Sequence, residues 1–314
     1  MRYRPVLGRR PLLAGLLACG PGRALADTRR FRIAFANLDE TPGVALEGLG
    51  FTGADVRHGF EMAARTLPVD MVYYDNAGDP ARALANAQTA IAARVDLLIE
   101  YNADTDANAE IARRLAAARI PAIALVDPLP GAPFYGPDNK FAGRTAGRAL
   151  VQFAQENWPN ESVLGVLIGD LADPGAAVTD RIQGIIDGVH ASLPALNLAM
   201  LDTGGQSVRA DALLAKFLQT ERGRRILIAT LDDLAAVYAK NAVEMNRRQS
   251  DCIIVSQGCD RNIHGGASEK KELDPNNRSS VVLGSVAYYM DRYGYEVLPL
   301  ALRLLAGETL PRIP

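Results

Sequence analysis

DMVYYDNAGDPARALANAQTAIAARVDLLIE, residues 70–100, changes its apolar period twice within one short stretch. Asp70–Tyr74 is a short apolar run that reads as a strand. Leu84, Ala87 and Ile91 then recur at helical spacing, with Asp79 placed as an N-cap and Pro80 at the first helical position. Asp96–Glu100 returns to strand. Strand, helix and strand in this order form a βαβ unit, which lays its two strands parallel in one sheet.

The same alternation continues outward in both directions. Upstream, Arg32–Ala36 reads as a strand, and Val56, Phe60, Ala63 and Leu67 mark a helix. Downstream, Ile111 and Leu115 mark a helix closed by Ile120-Pro121, and Ala122–Val126 reads as a fourth strand. Residues 127–137 are crowded with proline and glycine, which suits neither a helix nor a central strand, so this stretch is expected to pass between two lobes. Beyond it the plan repeats. Strands are expected at Val163–Ile168, Leu198–Leu201, Arg225–Ala229 and Cys252–Ser256, with helices near Phe141–Glu156, Thr179–His190, Val208–Thr220 and Leu234–Arg247. A polar loop from Gln257 to about Arg278 precedes a strand at Ser280–Ala287 and a helix at Tyr295–Ala306, which Gly307 ends. The expected fold is α/β: two similar doubly wound parallel-sheet lobes joined by a hinge. The expected division is a leader at 1–26, a first lobe of 27–135 and 263–314, and a second lobe of 136–262.

A chain of 314 residues, 48% hydrophobic, can bury cores of this size. At the N-terminus, Arg2, Arg4, Arg9 and Arg10 precede the short apolar run 12–18, and Ala24-Leu25-Ala26 offers a small-x-small cleavage site, the order of a secretory signal peptide. The run falls well short of the roughly 20 residues needed to cross a bilayer. Two variants of the export route stand beside it: Arg9-Arg10 partly resembles a twin-arginine signal, and Leu16-Leu17-Ala18-Cys19 a lipobox, in which Cys19 would carry an acyl anchor. Cleavage after Ala26 would remove five of the 34 basic side chains and none of the 36 acidic ones, for a net charge near −7 in place of −2. Such a surface repels phosphate backbones, so nucleic acid is not an expected partner. Cys252 and Cys259 bracket an expected strand that holds them roughly 20 Å apart, beyond disulfide reach.

Over 32–311 the chain resembles the periplasmic binding proteins of the ribose and galactose type. The segments that carry the likeness are Asp75–Pro80 with Ala85–Gln88, Asp96–Ile99, Ile120–Ile123, Asp138-Asn139 with Ala142-Gly143 and Ala146-Gly147, Arg181–Ile185, and Gly284–Tyr288. The resemblance implies a periplasmic, monomeric receptor without a cofactor. It would bind a sugar, polyol or similar small polar ligand between the lobes and deliver it to the membrane permease of an ABC transporter, or report it to a chemoreceptor or signalling kinase. Ligands of open α/β sheets lie at the carboxyl ends of the strands, which independently points to the same place and makes Asn37, Asp39, Glu100, Tyr101, Asn102, Asp127, Asp232 and Gln257 candidate ligand contacts, while the resemblance adds Arg181 on its ligand-side helix. For the acidic and amide residues the alternative is turn formation or N-capping, for Arg181 an ion pair inside its lobe, and for Tyr101 and Tyr288 plain packing. Leu231, Thr179 and Pro128 stand where the resemblance calls for asparagine, arginine and arginine. The glycine-rich insert 39–54 is either a lid or a surface excursion.

Other classes find little support. His58, His190 and His264 lie in no metal-ligand spacing, and the chain has no nucleophile elbow, P-loop or dinucleotide fingerprint after its first strand, so no enzyme and no metal are expected. A regulator of the lactose-repressor type would carry a helix-turn-helix where this chain carries its leader.

Overall fold

A computed structural model describes residues 29–46, 50–172, 175–259, 263 and 280–310. The expected leader with Cys19, His264, most of the polar loop 257–278 and the tail after 310 lie outside the described residues.

Two five-stranded sheets organise the chain. The first contains β1 (Phe31–Asn37), β4 (Val69–Asp75), β5 (Leu97–Glu100), β6 (Ala122–Leu125) and β7 (Phe134–Tyr135) in the order β4-β1-β5-β6-β7, all parallel. The second contains β8 (Val163–Gly169), β9 (Leu198–Asp202), β10 (Arg225–Thr230), β11 (Cys252–Gly258) and β12 (Val282–Ala287) in the order β12-β11-β10-β8-β9, also all parallel. Numbered within its own sheet, each follows the order 2-1-3-4-5. The sheets therefore share one winding, and each has its topological switch point between its first and third strands.

Both faces of both sheets are covered, as parallel sheets require. In the first, Ile33, Phe35, Leu97 and Ile99 pack against α1 (Gly53–Ala64) and α8 (Tyr293–Leu305). The intervening Ala34, Ala36 and Leu98 pack against α2 (Pro80–Ala92) and α3 (Thr105–Ala118). In the second, Val166, Ile168, Ile226 and Ile228 meet α6 (Arg209–Thr220) and α7 (Asp233–Met245), while Leu167, Leu227 and Ala229 meet α4 (Asn139–Asn157) and α5 (Gly175–His190). Each large aliphatic side chain buried in this way contributes about 1.5–3 kcal/mol, so the alternation along each strand holds a helix layer on either side. Asp79 caps α2 as expected, accepting the Ala81 N–H at 2.9 Å, with Pro80 at the first position.

Two features differ from expectation. β7 forms inside the proline-rich stretch, where its edge position tolerates Pro133 and Pro137 as neighbours. The division at residue 263 is also displaced: β12 hydrogen-bonds to β11 in the second sheet, so 282–287 belongs with the second lobe. The chain returns to the first lobe only after β12, where α8 packs on α1. The described part of the insert folds back on itself, with β2 (Ala45–Leu46) antiparallel to β3 (Phe51–Thr52) and Leu46 buried in the first core.

Candidate functional site

The carboxyl ends of β1, β4 and β5 form a rim of amide and carboxyl groups. Asn37 is fully buried, and its Nδ2 donates to the Gly53 carbonyl at 2.9 Å and to Glu40 Oε1 at 3.1 Å. The carbonyl of Asn37 receives the Asn76 N–H at 2.8 Å, which ties the ends of β1 and β4 together. Asn76 in turn donates Nδ2 to Glu100 Oε1 at 2.9 Å and to the Tyr101 carbonyl at 3.1 Å, while Asn86 donates to Asn76 Oδ1 at 2.9 Å. Burial pushes the Glu100 carboxyl up to about 8, against the opposing pull of the Asn76 hydrogen bond. Glu100 is therefore mostly protonated at neutral pH. With Oε1 accepting from Asn76, the proton belongs on Oε2, which is buried and has no hydrogen-bond partner among the described residues.

Next on this rim, Asn102 and Asn108 hold each other: Asn102 Nδ2 donates to Asn108 Oδ1 at 2.9 Å, and Asn108 Nδ2 donates to the Asn102 carbonyl at 2.7 Å. Tyr101 is fully buried in the first core, in keeping with the packing alternative. Asp39 accepts the Thr41 N–H at 2.7 Å in a local turn. Asp127 stands half-buried just past β6, where the chain begins its passage to the second lobe.

On the second lobe the structure brings Arg181 and Gln257 into one cluster. Arg181, 1% exposed, donates Nε and Nη2 to Asn139 Oδ1 at 3.2 and 2.9 Å and Nη1 to the Leu231 carbonyl at 2.9 Å. Its guanidinium lies 5.0 Å from the centre of the Tyr288 ring. The expected alternative of a carboxylate pair gives way to an amide, a carbonyl and an aromatic face. Gln257 is fully buried at the end of β11; its Oε1 accepts from the Tyr288 hydroxyl at 3.1 Å, and its Nε2 has no hydrogen-bond partner among the described residues. Asp232 is the N-cap of α7, accepting the Ala235 N–H at 2.6 Å and the Ser207 hydroxyl at 3.2 Å. The neighbouring Asp233 is buried and accepts hydroxyls from Ser256 and Ser285.

Asn76, Asn86 and Asn139 are members of these clusters that were not among the candidate contacts named from the sequence. Asn76 sits one residue past β4 just as Asn102 sits two past β5, so the strand-end rule applied to every strand would have selected it. Asn139 follows the N-cap Asp138 at the start of α4 and carries no local mark of its distant partners.

Two like-wound parallel sheets with polar strand ends define the two-lobed solute-binding fold. A model of the periplasmic binding protein domain matches residues 46–309, and the chain belongs to that family. The chain is similar in structure to a sugar-binding protein of a sugar ABC transporter from Bacillus halodurans (TM-score 0.67, 19% identity, 90% of each chain covered). It is similar also to a glucose-galactose binding protein from Geobacillus stearothermophilus (TM-score 0.63, 18% identity, 91% of this chain and 94% of that one). A third such structure is an ABC transporter solute-binding protein from Mycobacterium smegmatis with bound glycerol (TM-score 0.64, 18% identity, 90% and 91%). No curated protein sequence matched the chain. Among the described residues no helix is long and apolar enough to cross a membrane.

Proposed function

We propose that this protein is the exported, periplasmic receptor of an ABC importer, capturing a sugar or polyol between the carboxyl rims of its two sheets and closing about a hinge. One observation carries the reading. Glu100 at the end of β5 and Gln257 at the end of β11 each keep one buried polar atom without a hydrogen-bond partner among the described residues, one on each sheet. Such atoms cost about 1–3 kcal/mol each when left unmade, so proteins keep them where something else completes them. Both are donors in the protonation states argued above. A ligand that offers lone-pair oxygens in two directions would complete both, and a polyhydroxylated molecule does so without bringing a charge.

The ligands of the similar proteins, glucose-galactose and glycerol among them, agree with this chemistry. A hinge then follows from ordinary linkage: a ligand that bonds both rims favours the state in which they are close, and a permease can read that state. The test is a thermal-shift screen of the leader-free protein against sugars, polyols, amino acids and dicarboxylates. At least one sugar or polyol should raise the melting temperature, and Gln257→Ala should weaken its binding about tenfold. A shift confined to amino acids or dicarboxylates would refute the ligand class.

A further inference from the structure

We infer that Tyr288 is a positioning residue which, backed by Arg181 and Asn139, fixes the side-chain amide of Gln257 with its nitrogen turned to the ligand. The inference rests on the ligand reading above for its purpose, though not for its geometry. Tyr288 directly follows β12, at the return of the chain to the first lobe, and its ring is buried under the Arg181 guanidinium.

The hydroxyl of Tyr288 has two amide oxygens in reach, Gln257 Oε1 at 3.1 Å and Asn139 Oδ1 at 3.5 Å. Asn139 Oδ1 already accepts two N–H groups from Arg181, which fill the two lone pairs of a carbonyl oxygen. The Tyr288 proton therefore goes to Gln257. With its oxygen held, the Gln257 amide turns over only by giving up the Tyr288 O–H and placing its own NH2 against it. Its Nε2 is thus left as a fixed pair of donors with no acceptor among the described residues. Arg181, expected from sequence to touch ligand, acts instead two hydrogen bonds behind it. The consequence is a specificity rule: at this point the second lobe accepts an oxygen lone pair and rejects a ligand that presents only a donor or a methyl group there.

Two readouts on the full leader-free chain test it. In ligand-free 15N-labelled protein, the Gln257 side-chain amide, assigned by its loss in Gln257→Ala, should be as ordered as rigid backbone, about 0.85, and in Tyr288→Phe should fall below about 0.6. This measurement needs no ligand, so it decides the positioning even if every sugar in the screen fails. With the sugar that shifts the melting temperature most, Gln257→Ala and Tyr288→Phe should each weaken binding about tenfold. The double variant should be no weaker than about twentyfold, because the tyrosine acts only through the glutamine. An unchanged amide in Tyr288→Phe, or a double variant weakened about a hundredfold, would overturn the inference. Tyr288→Phe retains the ring beneath Arg181, so loss of folding is not expected; if it does not fold, the tyrosine is a core residue and the inference falls.

Discussion

Glu100 holds a carboxyl where water does not reach, and its protonation couples the first rim to pH. The folded chain keeps a proton that the unfolded chain, with its carboxyl near the ordinary 4.5, has released by neutral pH. Folding stability from this group is therefore whole below about 4.5 and is lost as pH rises toward about 8, on the order of a few kcal/mol in all. Glu100→Gln, which keeps the Asn76 contact and cannot ionise, should flatten that slope: between pH 5 and 9 its melting temperature should fall distinctly less than that of the wild type. Parallel melting curves against pH for the two proteins would show Glu100 to be ordinary. At this scale the sequence was informative where the partner is near. Asp79 and Pro80 announce their helix because cap and first turn are adjacent. The surroundings of Glu100 and Arg181 were hidden because their partners Asn76, Asn139 and Leu231 lie 24, 42 and 50 residues away.

The second rim depends on how closely α4 and α5 approach. Gly143 and Gly147 on α4 face Gly184 and Gly188 on α5: a Cβ on Gly143 would lie 2.1 Å from the Arg181 carbonyl oxygen, and one on Gly184 would lie 2.1 Å from the Lys140 carbonyl oxygen. The missing side chains let the backbones touch, which brings Arg181 on α5 to Asn139 at the start of α4. Gly143→Ala must push the helices apart. It should cost about 1–3 kcal/mol in urea denaturation and weaken ligand binding through the Arg181–Asn139–Tyr288 chain. Wild-type stability in this variant would mean the helices have room to spare. The pairs Ala142-Gly143 and Ala146-Gly147 were visible in the sequence as part of a family pattern, but only the facing glycines of α5 give the reason for them. The same limit applied to β7, a two-residue edge strand in proline-rich surroundings with no apolar period of its own, and to the pairing of β12, whose strand was expected but whose partner β11 is set by backbone hydrogen bonds to residues far along the chain.

For the whole molecule, the repeated winding was legible because each lobe buries both faces of its sheet, and that demand writes itself into apolar runs separated by helical segments along both halves of the chain. The boundary was not legible. A polar loop looks the same in sequence whether it joins two strands of one sheet or two lobes, and only the pairing of β11 with β12 moves the return from residue 263 to beyond Ala287. Among the described residues the chain passes between the lobes after β7 and again after β12, and the proposed hinge makes the separation of the lobes the soft coordinate. The account therefore stands on a change of overall size when ligand arrives. Small-angle scattering of the protein from residue 27 onward, recorded with and without the sugar or polyol that most raises its melting temperature, measures this directly. The account predicts a smaller radius of gyration in the saturated protein and the unliganded value in Gln257→Ala at a ligand concentration too low to fill it; an identical radius with ligand demonstrably bound would contradict it.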